Sequence, residues 1–87
     1  MYVLLVYDVG VERVEKLRRW LIRYLCWVQN SVFEGALTDG QLAELIAGAE
    51  EIIDKEHDSI YIYGMSDRKW LDKQVIGIEK QMTDNVI

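Results

Sequence analysis

The first seven residues, MYVLLVY, form an unbroken apolar and aromatic run, the pattern of a strand covered on both faces and central in its sheet. From Val11 the period changes. Val11, Val14, Leu17, Trp20, Leu21, Tyr24, Leu25 and Val28 recur at steps of three, four and one, which predicts one stripe of an amphipathic helix. Glu12, Lys16, Arg19 and Arg23 take its opposite face. In the stretch that follows, VQNSVFEGAL, Val28 and Val32 alternate against Gln29, Ser31 and Phe33, and Gly35 tolerates positive φ or a bulge. Two short strands, or one bent strand hinged at Gly35, are expected. The polar residues Gln29, Asn30, Ser31 and Glu34 must then be hydrogen-bonded or face water, because burying them unpaired is costly.

Thr38-Asp39-Gly40-Gln41 fits a capping box, with the threonine hydroxyl accepting an orphan amide and Gln41 reaching back. A second helix follows, its apolar stripe made by Leu42, Leu45, Ile46, Ala49, Ile52 and Ile53 and its outer face by Glu44, Glu51 and Asp54. SIYIYG, Ser59 to Gly64, alternates Ile60 and Ile62 with Tyr61 and Tyr63, a strand with two different faces. Met65 to Lys69 turns. QVIGI, Gln74 to Ile78, is a further short β-prone run.

This order predicts an α+β domain over residues 1–78, a ferredoxin-like βαββαβ sandwich with an extra C-terminal strand, and a tail over 79–87. Both helices cover one sheet face. The other carries Tyr or Phe side chains, an apolar surface that so small a monomer does not normally leave bare. A homodimer is therefore expected, with QVIGI satisfying its amides by adding to the sheet of the other subunit.

Length supports the dimer, since a chain of 87 residues buries only roughly 60–65% of its unfolded surface. The single cysteine, Cys26, excludes an internal disulfide and reads as a packing residue beside Trp27. Charges interrupt every apolar run, which excludes a membrane span, and no secretory signal pattern is present; a cytoplasmic location is expected. The net charge of -5 argues against a generic nucleic-acid binder, but its distribution is uneven. Arg13, Lys16, Arg18, Arg19 and Arg23 outnumber Glu12, Glu15 and Glu34 across residues 11–37, while residues 38–58 are strongly acidic. Two faces of opposite sign suit two partners.

Three stretches carry a resemblance: YDV at Tyr7-Asp8-Val9, the basic helix ERVEKLRRWL from Glu12 to Leu21, and VQNSVFEGALT from Val28 to Thr38. Over nearly its whole length the chain resembles the small CRISPR-associated protein 2 family, with DSIYIY at Asp58 to Tyr63 fitting the family's later strand. The resemblance implies a homodimer partnered with a CRISPR integrase in spacer acquisition for antiviral defence, and in several members metal-dependent cleavage of RNA or DNA. It makes Asp8 the metal-binding and catalytic position, with Mg2+ or Mn2+ held by Asp8 from both subunits. Leu25-Cys26-Trp27 departs from the glycine and basic residue of many relatives, removing a phosphate contact.

From the residues alone, Asp8 has two readings. It is a carboxylate at the end of a central strand, where two copies plus phosphate oxygens suffice for magnesium; or it caps the helix that begins near Val11. Arg13, Lys16, Arg18, Arg19 and Arg23 are candidate phosphate contacts for DNA or RNA. Glu12–Lys16 and Glu15–Arg19 are spaced as i,i+4 pairs, which leaves Arg13, Arg18 and Arg23 as the stronger candidates. Tyr7, Ser31 and Phe33 are expected to support the site, with Phe33 packing across the dimer axis and Ser31 and Gln29 hydrogen-bonding near Asp8 or a bound phosphate. His57 reads as a residue of the second helix's C-terminal end.

Overall fold

The structure, a computed structural model of one chain, describes residues 1–67, 69 and 74–77. Along them run β1 (Tyr2–Asp8), α1 (Val11–Leu21), β2 (Cys26–Gln29), β3 (Val32–Ala36), α2 (Asp39–Ile52) and β4 (Ser59–Met65). The strands pair antiparallel in the order β2-β3-β1-β4, so each helix links strands separated by one neighbour, as in ferredoxin-like folds. β1 is paired on both sides, as its apolar run requires.

Alternation along β1 sorts its side chains into two sets. Val3, Leu5 and Tyr7 are buried with Leu17, Leu21, Phe33, Leu45 and Ala49 in one core beneath the helices. Tyr2, Leu4, Val6 and Asp8 share the other face with Val32 and Glu34, their partners on β3, and with Tyr61 and Tyr63 of β4. The two tyrosines of β4 are more than half exposed, which bears out the two-faced reading of SIYIYG.

The capping box at the start of α2 forms both of its bonds: Gln41 N donates to Thr38 Oγ1 at 3.1 Å and Thr38 N to Gln41 Oε1 at 2.9 Å. Against α2 packs Trp20, whose Nε1 donates to the Leu45 carbonyl at 3.0 Å. Gly48 gives the ring its room, since a Cβ there would overlap it.

Several expectations change. α1 stops at Leu21, so Tyr24, Leu25 and Val28 belong to the following turn and β2, although Leu25 still enters the core. Both strands expected from VQNSVFEGAL form, but the hinge is Asn30-Ser31 and not Gly35. Asn30 takes the left-handed φ of 39°, which its short polar side chain tolerates, and its carbonyl accepts from Trp27 Nε1 at 3.0 Å. The polar residues are therefore the corner itself. Glu34 is buried on the sheet face opposite the helices, where the Tyr2 hydroxyl donates to Oε2 at 3.1 Å. Cys26 is exposed instead of packed. Gln74–Gly77 form no strand in the chain's own sheet; the tail at 79–87 lies outside the described residues.

One polar residue ties the ends of three elements together. Asp58, just before β4, is buried, and its two oxygens accept four bonds: from Gly10 N (2.9 Å) and Arg13 Nη2 (2.9 Å) at Oδ1, and from Arg13 Nε (2.6 Å) and Asp54 N (2.9 Å) at Oδ2. The Arg13 guanidinium, helped by the two amides, holds the Asp58 carboxyl well below the usual carboxylate range.

Gly48→Ala should destabilise the fold by about 1 kcal/mol in urea denaturation, because overpacking against the Trp20 ring (about 1–3 kcal/mol) outweighs the helix-propensity gain of about 1 kcal/mol. In a Trp20→Leu background the same change should stabilise. A carboxylate whose native pKa is depressed stabilises the fold above its unfolded pKa, near 3.9, and that contribution is lost as pH falls. The urea midpoint should therefore drop on acidification below about pH 4, and Asp58→Asn, less stable at neutral pH, should flatten that drop.

Candidate nucleic-acid and metal site

Asp8 ends β1 fully in reach of solvent. It does not cap α1: the N-cap is Gly10, with no side-chain capping bond, and the loop amide at Gly10 is taken by Asp58. Asp8 opens onto a cleft of about 450 Å³ lined also by Val9, Gly10, Glu12, Arg13, Asp54, His57 and Asp58. The other acids of that cleft are engaged. Asp54 pairs with His57 Nδ1 at 2.9 Å and accepts from Glu56 N at 3.0 Å, which lowers its pKa; Glu12 lies 3.5 Å from Arg13.

Among the described residues no group of three or more acidic, histidine or cysteine side chains converges on a metal position. Asp8 is thus the uncommitted carboxylate of its cleft, open to water and to phosphate oxygens. A carboxylate of that kind is the donor type a hard cation such as magnesium takes, with waters and phosphate oxygens completing the set.

The cations on and just after α1 divide into two kinds. Lys16, Arg19 and Arg23 are exposed; Arg19 reaches Glu15 at 3.8 Å and Arg23 lies over the Trp20 ring at 5.0 Å. Arg18, 40% exposed, sits 3.9 Å from Glu15 and over the Trp27 ring at 5.4 Å. Contrary to expectation, Arg13 does not lack an acidic partner: its fork is closed on Asp58 by two bonds. The partner stands 45 residues away in sequence, beyond any i,i+3 or i,i+4 inspection. Arg18 also has an acidic partner at i−3, and the expected Glu12–Lys16 pair is replaced by Glu12–Arg13.

The supporting set assembles, but away from Asp8. Tyr7 and Phe33 are neighbours in the core, ring centroids 6.2 Å apart, and the Tyr7 hydroxyl reaches Ser31 and, at 3.4 Å, the Asn30 carbonyl. Burial raises the Tyr7 pKa, against the nearby charge of Arg18. Successive residues of a strand face opposite sides, so Tyr7 and Asp8 are separated by the sheet. Phe33, buried beneath the helices, is not placed to pack across a dimer axis. His57 lies in the turn after α2. Asp58, legible in the sequence only as the start of a strand, is the residue that sequence reasoning missed; an acid directly before an alternating apolar run was the available signal.

Residues 1–73 match the family profile of the CRISPR-associated protein Cas2. A protein of Methanosarcina acetivorans named CRISPR-associated endoribonuclease Cas2 is 47% identical over 87 residues, covering all of both chains. One from Thermodesulfovibrio yellowstonii with the same family name is 46% identical over 99% of this chain and 98% of its own. Among solved structures, a Cas2 crystal structure superposes with a TM-score of 0.79 at 43% identity, covering 100% of this chain and 98% of the other. Streptococcus pyogenes Cas2 gives 0.73 at 29% identity over 86% and 100%. With profile, full-length relatives and fold in agreement, the chain belongs to the CRISPR-associated protein Cas2 family.

Proposed function

We propose that this chain works as a homodimeric nucleic-acid-binding subunit of the CRISPR adaptation machinery, bridging integrase dimers while spacer DNA is inserted. The observation that carries the reading is the division of the molecule into two unlike faces. The helix side presents Lys16, Arg19 and Arg23 to solvent, with Arg18 beside them, a stripe suited to backbone phosphates. The face opposite the helices presents Tyr61 and Tyr63 to solvent, with Leu4, Val6 and Val32 half-buried beside them, a surface suited to a second copy. The exposed Val75 and Ile76 are proposed to add to the outer edge of β4 in that copy, and residues 79–87, outside the described residues, to engage the integrase.

A second reading has its own support. Asp8 has no capping duty and stands at the edge of the bare face, and the relatives above carry the name endoribonuclease. Two Asp8 carboxylates brought together by dimerisation would hold Mg2+ or Mn2+, which supplies charge stabilisation and an activated water for phosphodiester cleavage of RNA or DNA. The chain's own part is to present the carboxylates to water and phosphate oxygens.

Two measurements test these readings. Lys16→Glu with Arg19→Glu should weaken metal-free duplex binding at low salt and lower the slope of log affinity against log salt by roughly 0.9 for each phosphate no longer neutralised; unchanged affinity would remove α1 as the interface. Asp8→Asn separates the roles: the bridging reading expects spacer acquisition to persist while cleavage of naked RNA or DNA is lost, whereas loss of acquisition would make the metal chemistry essential to it.

A further inference from the structure

We propose that Arg13 and Asp58 are positioning residues that fix Asp8 for metal binding, and that Arg13 is not a phosphate contact. The inference rests on the reading of Asp8 as a metal ligand and deepens it.

Asp8 ends a strand, where backbone freedom is greatest and a ligand must be held. The Asp58 network grips the chain on both sides of it. In the sheet, Asp8 pairs with Ser59, the residue that directly follows Asp58. Two residues beyond Asp8, the Gly10 amide donates to Asp58 Oδ1 at 2.9 Å. Arg13 then locks Asp58 with two bonds of 2.6 and 2.9 Å.

The Asp58 side chain is only 1% exposed, so its carboxylate is tolerable only because every oxygen is paired. Gly10 belongs to the same device. Its φ of -57° is ordinary, and what it provides is clearance: a Cβ there would come within 2.5 Å of Arg13 Nη2. With its fork closed and its remaining nitrogen toward Glu12, Arg13 has no bidentate face left for a phosphate. All of these residues line the cleft onto which Asp8 opens.

The test uses the full chain and manganese. Removing either partner alone changes the field at Asp8, so the decisive variant is the charge-neutral pair Arg13→Gln with Asp58→Asn. Free Mn2+ counted by electron paramagnetic resonance should show affinity falling roughly tenfold, the loss typical of outer-shell partners, while metal-free duplex affinity and its salt slope stay at the native value. Circular dichroism checks folding. If the pair variant fails to fold, Gly10→Ala, which displaces the guanidinium at unchanged charge, should weaken Mn2+ in the same direction. Native Mn2+ affinity in the folded variants would overturn the inference, as would reduced metal-free duplex binding on loss of Arg13. Asp8→Asn is the control that separates the two levels. If the native chain binds no Mn2+, or if Asp8→Asn binds as the native chain does, the metal reading of Asp8 falls and the positioning role falls with it; if only Asp8→Asn loses Mn2+, the positioning role alone is wrong.

Discussion

Among the described residues, two helices cover one face of a four-stranded sheet, while the opposite face keeps Tyr61 and Tyr63 more than half exposed. Strand alternation converts that asymmetry into chemistry, because consecutive side chains must take opposite sides. Tyr7 goes into the core beneath the helices, where its ring meets Phe33. Asp8, one residue later, is sent to the bare side with Leu4 and Val6. A single carboxylate holds a divalent cation weakly, and exposed aromatics on a sheet face are poorly tolerated in a domain this small. The second copy proposed for that face would meet both needs at once.

The charge on α1 is less uniform than its composition implies. Arg13 spends its donors inside the molecule on Asp58, joining the start of α1 to the start of β4, whereas Lys16, Arg19 and Arg23 remain at the surface. The first helix thus serves two purposes from adjacent turns: its N-terminal turn secures the loop beside Asp8, and its remaining turns present cations. Trp20 and Trp27 hold two of the arginines by their ring faces, which orders the side chains without neutralising them.

Much of this was legible in the sequence because it depends on local rules. Period two in SIYIYG, the capping box at Thr38 and the apolar run of β1 each specify their structure within a few residues. Asp8 was legible only as a carboxylate at a strand end, and its release from capping could not be read, because the competitor for the Gly10 amide is 48 residues away. A similar separation hid the role of Arg13. Phe33 was misplaced for a related reason: the face it takes follows from its pairing with Leu5 on β1, a register that no inspection of VQNSVFEGAL alone reveals. The corner at Asn30-Ser31 was masked by Gly35, the more conspicuous breaker.

In the proposed dimer, the sheet face opposite the helices brings two Asp8 carboxylates to one axis. A crystal structure of the chain grown with manganese tests this arrangement most directly, through the anomalous difference map. The expected result is a homodimer associated through that face, with manganese density on or beside the twofold axis between the two Asp8 side chains. A dimer that carries its Asp8 residues on opposite outer surfaces, with no manganese at either, would contradict it.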